Sequence, residues 1–389
     1  MIRSLTRNMM RLVAAVVLLA LLLCAAEVAV RARRVRTHLE NQSVTTTDLP
    51  ELLLQPSATC YVEPQPLVHL TVQLPNSDPV EIRTSEWGTR GETPSLPKPR
   101  NTFRIICLGG TNTFAPSVSE QQTFCELLDR YLQTQTELNV EVINAGALES
   151  GPLAASLRLR NQLLALQPDL VLLHLDVAEL RHDDVLRASL RLDPQGSPAF
   201  ACHPRLTTRT NQLLDELKQE SALVEMFVHR APELLPQSQR RPGGTRAASS
   251  LDLVLQPLRL SSSLARSNYS QFAIALIPDP WELQQDAGWS TGAELRELLS
   301  PAVSSGELVA LDPLPTFLRQ AQPQQLYVES GLLSAAGHQL YAGLIAREIV
   351  ETFPGNWNGP PASTQQIPRP ADPDGAPLWQ QSQIPFGRE

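Results

Sequence analysis

From residue 104 to residue 352, short hydrophobic runs alternate with longer amphipathic stretches. Five of the runs have the length of buried strands and end at a Gly, a Pro or a polar residue. They are Arg104–Leu108, Val140–Asn144, Leu170–Leu175, Gln271–Ile277 and Glu307–Leu311. Helices are predicted at Thr123–Leu132, Leu153–Leu166, Thr210–Val228 and Ala335–Thr352. Because continuous hydrophobic strands need cover on both faces, the pattern predicts a three-layer α/β/α sandwich with a five-stranded parallel sheet.

Less regular segments surround the predicted sandwich, which we place at residues 101–353. Residues 37–100 are rich in Pro, Thr and Gln with short strand-like runs such as Leu67–Leu74, so we expect a linker or small pre-domain there. The stretch from about 184 to 270 is long for one connection and contains a Pro-, Gly- and Ser-rich part, which indicates an insertion. Residues 354–389 are Pro-rich and are predicted to form an extended tail.

The first 36 residues have the pattern of a membrane anchor. Leu12 to Val30 is hydrophobic except for Glu27, and arginines precede and follow it. Its length is close to the ~20 residues that a helix needs to cross a bilayer. A cleavable signal peptide would have a shorter hydrophobic core and a small-x-small cleavage site, so we predict an uncleaved single-pass helix. The basic flanks leave the orientation open, and we expect the large C-terminal part to be exported to the periplasm or cell envelope.

The composition excludes several classes of function. The 389 residues include 32 Lys and Arg against 40 Asp and Glu, which gives a net charge of −8. An acidic chain without a basic stripe argues against nucleic-acid binding. The five cysteines are too few for a disulfide scaffold and have no C-x-x-C spacing, so we predict neither a metal nor a cofactor. The sequence leaves open whether Cys60 and Cys202 form a disulfide bridge.

In open α/β sheets, ligands bind at the carboxyl ends of the strands. The residues that follow the predicted strands are therefore the candidate site. They are Gly110, Thr111 and Asn112 after the first strand, Gly146 after the second, Asp176 to Glu179 after the third, and the loop before the last helix.

Five segments, in this order along the chain, resemble the sequence blocks of the SGNH, or GDSL-type, hydrolases. They are Arg83–Gly91 (RTSEWGTRG), Ile106–Phe114 (ICLGGTNTF), Val142–Gly146 (VINAG), Pro168–Leu180 (PDLVLLHLDVAEL) and Tyr327–His338 (YVESGLLSAAGH). The resemblance is to membrane-anchored bacterial members of that family and covers about residues 80–353. It implies an ancestral ester hydrolysis or acyl transfer on lipid or glycan esters.

The resemblance also assigns catalytic roles, and most of the positions are substituted. Thr111 stands at the nucleophilic Ser, Ala178 at an Asn that donates to the oxyanion, Glu329 at the Asp and Leu332 at the catalytic His, whereas Gly146 keeps a glycine of the oxyanion hole. Loss of one oxyanion donor typically costs about 10²–10³ in rate, and Leu cannot accept a proton. We therefore predict a pseudo-hydrolase that serves as a binding or scaffolding module for an acyl or glycan ligand.

Two alternatives stay open. The first is an atypical active esterase in which Thr111 attacks with help from an unrecognised base. The second is a membrane-tethered interaction protein that retains only the fold. Histidines are weak candidates for the base, because we expect His338 to be structural, His174 to be buried and His182 to be solvated at a helix start.

One competing motif and one competing site need an interpretation. Gly288–Gly292 matches the G-x-S-x-G pattern, but no strand precedes it, and Thr291–Glu294 has the form of a capping box, so we predict a helix start. Asp176, Glu179 and Glu329 could bind a sugar, an amine or a cation. The simpler interpretation, which we favour, leaves Glu179 and Glu329 solvated or paired with an Arg such as Arg181.

Overall fold

The computed structural model describes residues 18, 22–29, 49–73, 78–136, 138–207, 250–283, 291–328 and 331–354. The chain divides into two compact units. The first unit is Met1–Ser43 with Pro204–Gly243, and the second is Val44–His203 with Gly244–Glu389. In the first unit the described residues form a helical stretch at 22–29 and a short helix at Pro204–Thr207. All elements named below belong to the second unit.

The second unit contains the predicted sandwich. Its strands are β1 (Leu54–Pro56), β2 (Val62–Pro64), β3 (His69–Val72), β4 (Val80–Arg83), β5 (Thr102–Gly109), β6 (Asn139–Gly146), β7 (Leu170–Leu175), β8 (Leu190–Leu192), β9 (Pro198–Ala201), β10 (Gln271–Leu276) and β11 (Ala310–Leu311). Its helices are α1 (Leu49–Leu53), α2 (Thr111–Phe114), α3 (Phe124–Gln133), α4 (Pro152–Asn161), α5 (Asp183–Arg187), α6 (Ser250–Ser267), α7 (Thr291–Ser304), α8 (Leu314–Leu318) and α9 (Ala335–Thr352).

The five predicted strands form one parallel sheet in the order β6-β5-β7-β10-β11. In chain order this is 2-1-3-4-5, the order of flavodoxin-like doubly wound folds. The direction in which strands are added reverses between β5 and β7, which pair from Ile105–Leu170 to Leu108–Leu173. This topological switch point leaves a crevice outside the carboxyl ends of the two strands. The predicted parallel sheet is confirmed.

Helices cover both faces of the sheet, as the hydrophobic runs require. Successive side chains of β5 alternate between the faces, because the side-chain period of a strand is two. Ile105 and Cys107 are buried under α3 and α9, whereas Ile106 and Leu108 are buried under α4, α6 and α7. Each face of the sheet therefore carries one half of the hydrophobic core.

The segment before the sheet is folded rather than a loose linker. β3 and β4 form an antiparallel hairpin that packs with α1 against Phe114 and Leu148, two residues that follow the strand ends. The backbone N–H of Arg90 donates to the carbonyl of Asn144 on β6 at 2.9 Å. This segment therefore covers part of the edge of the sheet close to the candidate site.

Three expectations about elements need correction. The strand expected at Glu307–Leu311 pairs only at Ala310–Leu311, because the Leu308 N–H donates back to Ala302 at the end of α7. The helix expected at Leu153–Leu166 ends at Asn161 and continues as a 3₁₀ turn. Within the stretch 184–270, α6 packs on the sheet as a layer helix, while Thr210–Val228 lies outside the described residues.

The predicted membrane anchor lies mostly outside the described residues. Among the residues that the structure does describe, no helix is both long and hydrophobic enough to cross a membrane.

Candidate functional site

Four loops meet at the crevice between β5 and β7, and Asn112 joins three of them. Its side-chain amide donates to Asp176 Oδ2 at 2.5 Å, and its carbonyl oxygen accepts the backbone N–H of Leu333 at 2.8 Å. Asn112 is 4% exposed, so both hydrogen bonds are shielded from water. The loop after β5 is thereby tied to the end of β7 and to the loop before α9.

Thr111 begins α2 directly after the β5 strand and is contacted from two sides. Its backbone N–H donates to Glu179 Oε1 at 2.7 Å, and its hydroxyl accepts the backbone N–H of Glu149 at 3.4 Å. The preceding Gly110 has no room for a side chain, because an ideal Cβ would lie 2.3 Å from Glu179 Cδ. The Glu179 carboxylate therefore lies on the Gly110–Thr111 backbone.

Burial dominates the electrostatics of Glu179, which is 6% exposed. Burial raises its pKa to about 7, the hydrogen bonds from Thr111 oppose this rise, and the charges of Asp176 and Glu149 add to it. Its second oxygen, Oε2, lies 3.4 Å from His182 Nε2 and is buried without a hydrogen-bond partner among the described atoms. The site thus contains a carboxyl group that titrates near neutral pH.

The expectation that Glu179 is solvated or paired with Arg181 is wrong. The 3₁₀ turn Val177–His182 that follows β7 directs this side chain inward, across the switch point, instead of outward. Sequence reasoning also missed His182 as its neighbour, although the i, i+3 spacing on a helical turn brings such side chains together.

Asp176 follows β7 and is half-buried. Its two carboxylate oxygens accept hydrogen bonds from the Asn112 amide and from the backbone N–H of Ala178 at 3.0 Å. Burial raises its pKa, and these hydrogen bonds oppose the rise. Asp176 thus lies beside the Thr111 turn, where it holds the Asn112 side chain in place.

Gly146 has a packing role that the resemblance did not imply. Its N–H donates to the side chain of Asn144 at 3.1 Å, and an ideal Cβ would lie 2.3 Å from the backbone nitrogen of Phe114. Its amide is therefore engaged within the protein.

The backbone N–H that points at the Thr111 hydroxyl belongs to Glu149, which has a left-handed φ of 51°. Sequence reasoning missed Glu149, because a non-glycine residue gives no signal for this conformation.

The remaining positions assigned by resemblance lie at the rim or outside the described residues. Ala178 is exposed beside Asp176, and Leu332 is half-buried next to Leu333, whose N–H binds Asn112. Glu329 lies outside the described residues. The structure therefore brings Thr111, Ala178 and Leu332 into the same loop cluster and leaves Glu329 unplaced.

Two of the histidines are structural, as predicted. His338 Nδ1 accepts the backbone N–H of Phe124 at 3.2 Å in the core, and burial lowers its pKa to about 3, so that it stays neutral. His174 is buried on the same face, with its Nδ1 2.8 Å from the Tyr341 hydroxyl. His182, with 38% side-chain exposure, lies 3.4 Å through its Nε2 from Oε2 of Glu179, the residue that contacts Thr111.

The G-x-S-x-G motif, the possible disulfide and a possible metal site were also compared with the structure. α7 begins at Thr291, in agreement with a helix start there, while Ser290 lies outside the described residues. Cys60 and Cys202 are both free thiols. Among the side chains that the structure describes, no group of three or more His, Cys, Asp and Glu residues is arranged to hold a metal ion.

Solved structures similar to this chain are lipolytic enzymes and esterases. A lipase/acylhydrolase from Enterococcus faecalis is 16% identical, with a TM-score of 0.36, over 64% of this chain and 96% of its own. A member of the lipolytic protein G-D-S-L family from Veillonella parvula is 15% identical, with a TM-score of 0.36, over 65% of this chain and 98% of its own. A catalytic mutant of Axe2, an acetylxylan esterase from Geobacillus stearothermophilus, is 14% identical, with a TM-score of 0.38, over 64% of this chain and 94% of its own. No family model and no curated protein sequence matches the chain.

Proposed function

We propose that this chain is an SGNH hydrolase-like protein that binds an acyl or glycan group without hydrolysing it. One observation carries the proposal: the Glu179 carboxylate accepts the Thr111 N–H at 2.7 Å and lies against Gly110. In acyl transfer, the negative charge that develops on the carbonyl oxygen needs free N–H donors at the reacting centre. A carboxylate at this place occupies the donor and repels an oxyanion when it is ionised.

The other donors around Thr111 support the same conclusion. The Gly146 N–H donates to Asn144, the Glu149 N–H to the Thr111 hydroxyl and the Ala178 N–H to Asp176. Each of these amides is satisfied by the protein itself. Leu332, at the position of the family's catalytic His, has no group that accepts a proton.

The test for hydrolysis compares full-length protein with two Thr→Ala variants on p-nitrophenyl acetate and butyrate. Thr111→Ala removes the only hydroxyl at the nucleophile position, and Thr71→Ala is the matched control on the exposed face of β3. We expect the three proteins to hydrolyse both esters at the uncatalysed background rate. Turnover by the wild type and Thr71→Ala that disappears in Thr111→Ala would overturn the proposal.

One observation favours the atypical esterase as a second candidate. The Glu179 carboxylate lies at the Thr111 turn, where it accepts the Thr111 N–H at 2.7 Å, and burial raises its pKa to about 7, a suitable range for a general base. In that enzyme Glu179 would take the hydroxyl proton, and His182 would stabilise the charge on Oε2. The rate would then rise as the pH increases through about 7, and Glu179→Gln would lose it.

Ligand binding is tested separately, by calorimetry with sodium octanoate and an acetylated xylo-oligosaccharide as probes. Ala178→Trp places a large side chain at the exposed rim of the crevice, and Ala336→Trp is its control on the exposed surface of α9. We expect one of the probes to bind the wild type and Ala336→Trp but not Ala178→Trp. If neither probe binds the wild type, the chain is better described as an interaction protein that retains only the fold.

We also propose that the protein is tethered to a membrane, with its sandwich domain on the periplasmic or envelope side. The hydrophobic run Leu12–Val30 between arginines supports this, and the described leucines in it, including Leu18 and Leu22, are exposed. Full-length protein should sediment with membranes and resist carbonate extraction. The double substitution Leu18→Arg, Leu22→Arg should release it, because a charged residue at the helix centre costs roughly 3 kcal/mol. Soluble wild-type protein would contradict the tether.

A further inference from the structure

A cavity of about 250 Å³ lies between the C-terminal half of α6 and the turn that leads from α7 into β11. α6 ends at Ser267 and leads into β10 at Gln271, whereas β11 begins at Ala310, directly after the turn. Because β10 and β11 are parallel, the cavity lies near their amino ends. The candidate site lies at the carboxyl ends of the strands, so the two places are at opposite edges of the sheet.

One face of α6 supplies most of the lining of this cavity. Side chains that are three, four, seven or eight positions apart lie on the same side of a helix. The lining residues of α6 have this spacing, and they are Arg259, Ser262, Ser263, Arg266 and Ser267. The small serine side chains leave space between the two arginines. The helix therefore presents hydroxyl and guanidinium groups to the cavity.

The serine hydroxyls of this face are not used within the protein. Ser262 is 7% exposed and lines the cavity, so the small exposed part of the residue faces this space. In α4, by contrast, the Ser156 hydroxyl donates to the carbonyl of Pro152 at 2.7 Å. Within the part of the chain that the structure describes, the hydroxyls of Ser262, Ser263 and Ser267 have no hydrogen-bond partner. Because an unsatisfied buried polar group is costly, these hydroxyls point to a ligand.

The lining carries a net positive charge, although the whole chain has a net charge of −8. Against the two arginines, Glu307 is the negatively charged residue among the described lining residues. Arg259 Nε and Nη2 donate to its two carboxylate oxygens at 2.5 and 3.1 Å, and Arg266 Nη2 donates to its backbone carbonyl at 3.3 Å. The hydrogen bond from Arg259 and the charges of both arginines lower the pKa of Glu307. The remaining N–H groups of Arg266 have no partner among the described residues.

We propose that this cavity binds the phosphate group of a small phosphate monoester. A monoester presents three terminal oxygens, which match a set of guanidinium and hydroxyl donors better than the two oxygens of a carboxylate. The fork of Arg266 and the hydroxyls of Ser262 and Ser263 contact these oxygens. The Arg259–Glu307 pair is exposed, with side-chain exposures of 51% and 40%, and such pairs contribute little to stability. The Glu307 carboxylate can therefore turn to solvent when the phosphate enters.

The size of the cavity limits the rest of the ligand. Pockets for drug-sized molecules have roughly 300–1,000 Å³, and this cavity is smaller. A phosphate with a short polar substituent such as glycerol fits this limit. Soluble esters and phospholipid headgroups share this chemistry, and the experiment distinguishes the two sources.

The experiment measures binding to full-length protein in two arms. The first is calorimetry with glycerol 3-phosphate, and the second is sedimentation with phosphatidylcholine vesicles that do or do not contain phosphatidic acid. Arg266→Gln is compared with Arg191→Gln, the matched control at an exposed arginine of β8. We expect Arg191→Gln to bind the ester like the wild type. Arg266→Gln should bind it at least about tenfold more weakly, because charged hydrogen bonds are lost.

Two further variants test the other groups of the cavity. Glu307→Gln removes the negative charge beside the phosphate and should raise the affinity roughly fivefold. Ser262→Ala removes one hydroxyl donor and should lower the affinity roughly threefold or more. A gain of affinity from Glu307→Gln is expected only if an anion binds here.

The two arms separate the sources of the phosphate. Binding of the free ester assigns the site to a soluble ligand. Binding that requires phosphatidic acid in the vesicles and disappears in Arg266→Gln, without binding of the free ester, assigns it to a lipid headgroup.

Two results would overturn the proposal. The first is phosphate-dependent binding in neither arm, or binding that is equal in the wild type and Arg266→Gln. The second is a lower unfolding temperature of Arg266→Gln with unchanged binding, since Arg266 would then only offset the negative end of the α6 dipole. Neither result depends on ester hydrolysis or on ligand binding at Thr111.

Discussion

The Oε1 oxygen of Glu179 accepts a hydrogen bond from the backbone N–H of Thr111 at 2.7 Å, which joins the ends of β7 and β5 across the switch point of the sheet. The same carboxylate lies against Gly110 and is shielded from water. The Glu179 carboxylate therefore occupies the part of the crevice that lies next to the Gly110–Thr111 backbone. This contact places a buried carboxyl group at the Thr111 turn. The proposal that the chain does not hydrolyse esters rests on it.

The pH dependence of stability should report this contact. An unfolded Glu titrates at about 4.3, whereas burial raises the folded pKa of Glu179 to about 7. The folded state binds the proton more tightly, so this contribution to stability is complete below about pH 4.3 and is lost as the pH rises through about 7. Glu179→Gln keeps an acceptor for the Thr111 N–H without the charge. It should be more stable than the wild type at pH 8 by about 1–3 kcal/mol.

Urea unfolding at pH 5 and pH 8 measures this difference. Glu92→Gln, at an exposed position outside the site, is the matched control and should follow the wild type at both values. A loss of stability between pH 5 and pH 8 that is equally large in Glu179→Gln would contradict the assignment of the raised pKa to this residue.

Asp183 caps a helix that belongs to another part of the chain. Its carboxylate oxygens accept the backbone N–H groups of Leu153 and Ala154, in the first turn of α4, at 2.7 and 3.1 Å. Asp183→Ala leaves two buried donors without acceptors, so we expect a loss of about 1–3 kcal/mol in the free energy of unfolding. Asp184→Ala, at the exposed neighbour, should change it by less than about 0.5 kcal/mol. Equal losses in denaturant titrations would refute the cap.

Asp129 protects the edge of the sheet at β6. Its Oδ1 accepts the Val142 N–H at 3.0 Å, and Gln133, which donates to its Oδ2 at 2.7 Å, also donates to the Val140 carbonyl at 3.2 Å. Exposed strand edges promote pairing between molecules. Asp129→Ala should therefore increase the oligomer fraction in sedimentation experiments, whereas Asp129→Asn, which keeps the acceptor, should remain like the wild type. A monodisperse Asp129→Ala protein would argue against the protective role.

Arg90 holds the loop that follows the Thr111 turn, and it is 5% exposed. Its guanidinium donates to the carbonyl oxygens of Phe114, Ala115 and Val118. Lys presents a single ammonium group that cannot match this planar set of donors. Arg90→Lys should thus lower the free energy of unfolding by about 2 kcal/mol or more. Arg100→Lys, at an exposed position, should have no measurable effect in the same thermal unfolding experiment.

The site was only partly predictable, and Glu179 shows the reason. Its position after a predicted strand placed it among the candidates, because ligands bind at strand ends in open α/β sheets. A glutamate in a polar turn is usually exposed, so its sequence gave no reason to expect burial. Thr111 and Glu179 are 68 residues apart, and their contact depends on β5 and β7 being neighbours in the sheet.

The same contrast holds for the cysteines and for the oxyanion-hole glycine. Cys107 and Cys125 are both buried thiols. That they belong to one buried cluster follows from the packing of α3 on β5, which no local pattern encodes. Gly146 was assigned a free amide by resemblance, whereas the side chain of Asn144 engages it in the folded chain.

The sequence by itself determined the alternation of strands and helices, the parallel sheet and the loops in which the site lies. These follow from hydrophobic periodicity, which acts over a few residues and survives substitution. Only the tertiary structure decided the strand order, the inward direction of Glu179 and the partners of each backbone amide near Thr111. These depend on which distant groups the fold brings within hydrogen-bond distance of each other. A difference of about 1 Å decides whether a donor is free for a ligand or is hydrogen-bonded within the protein.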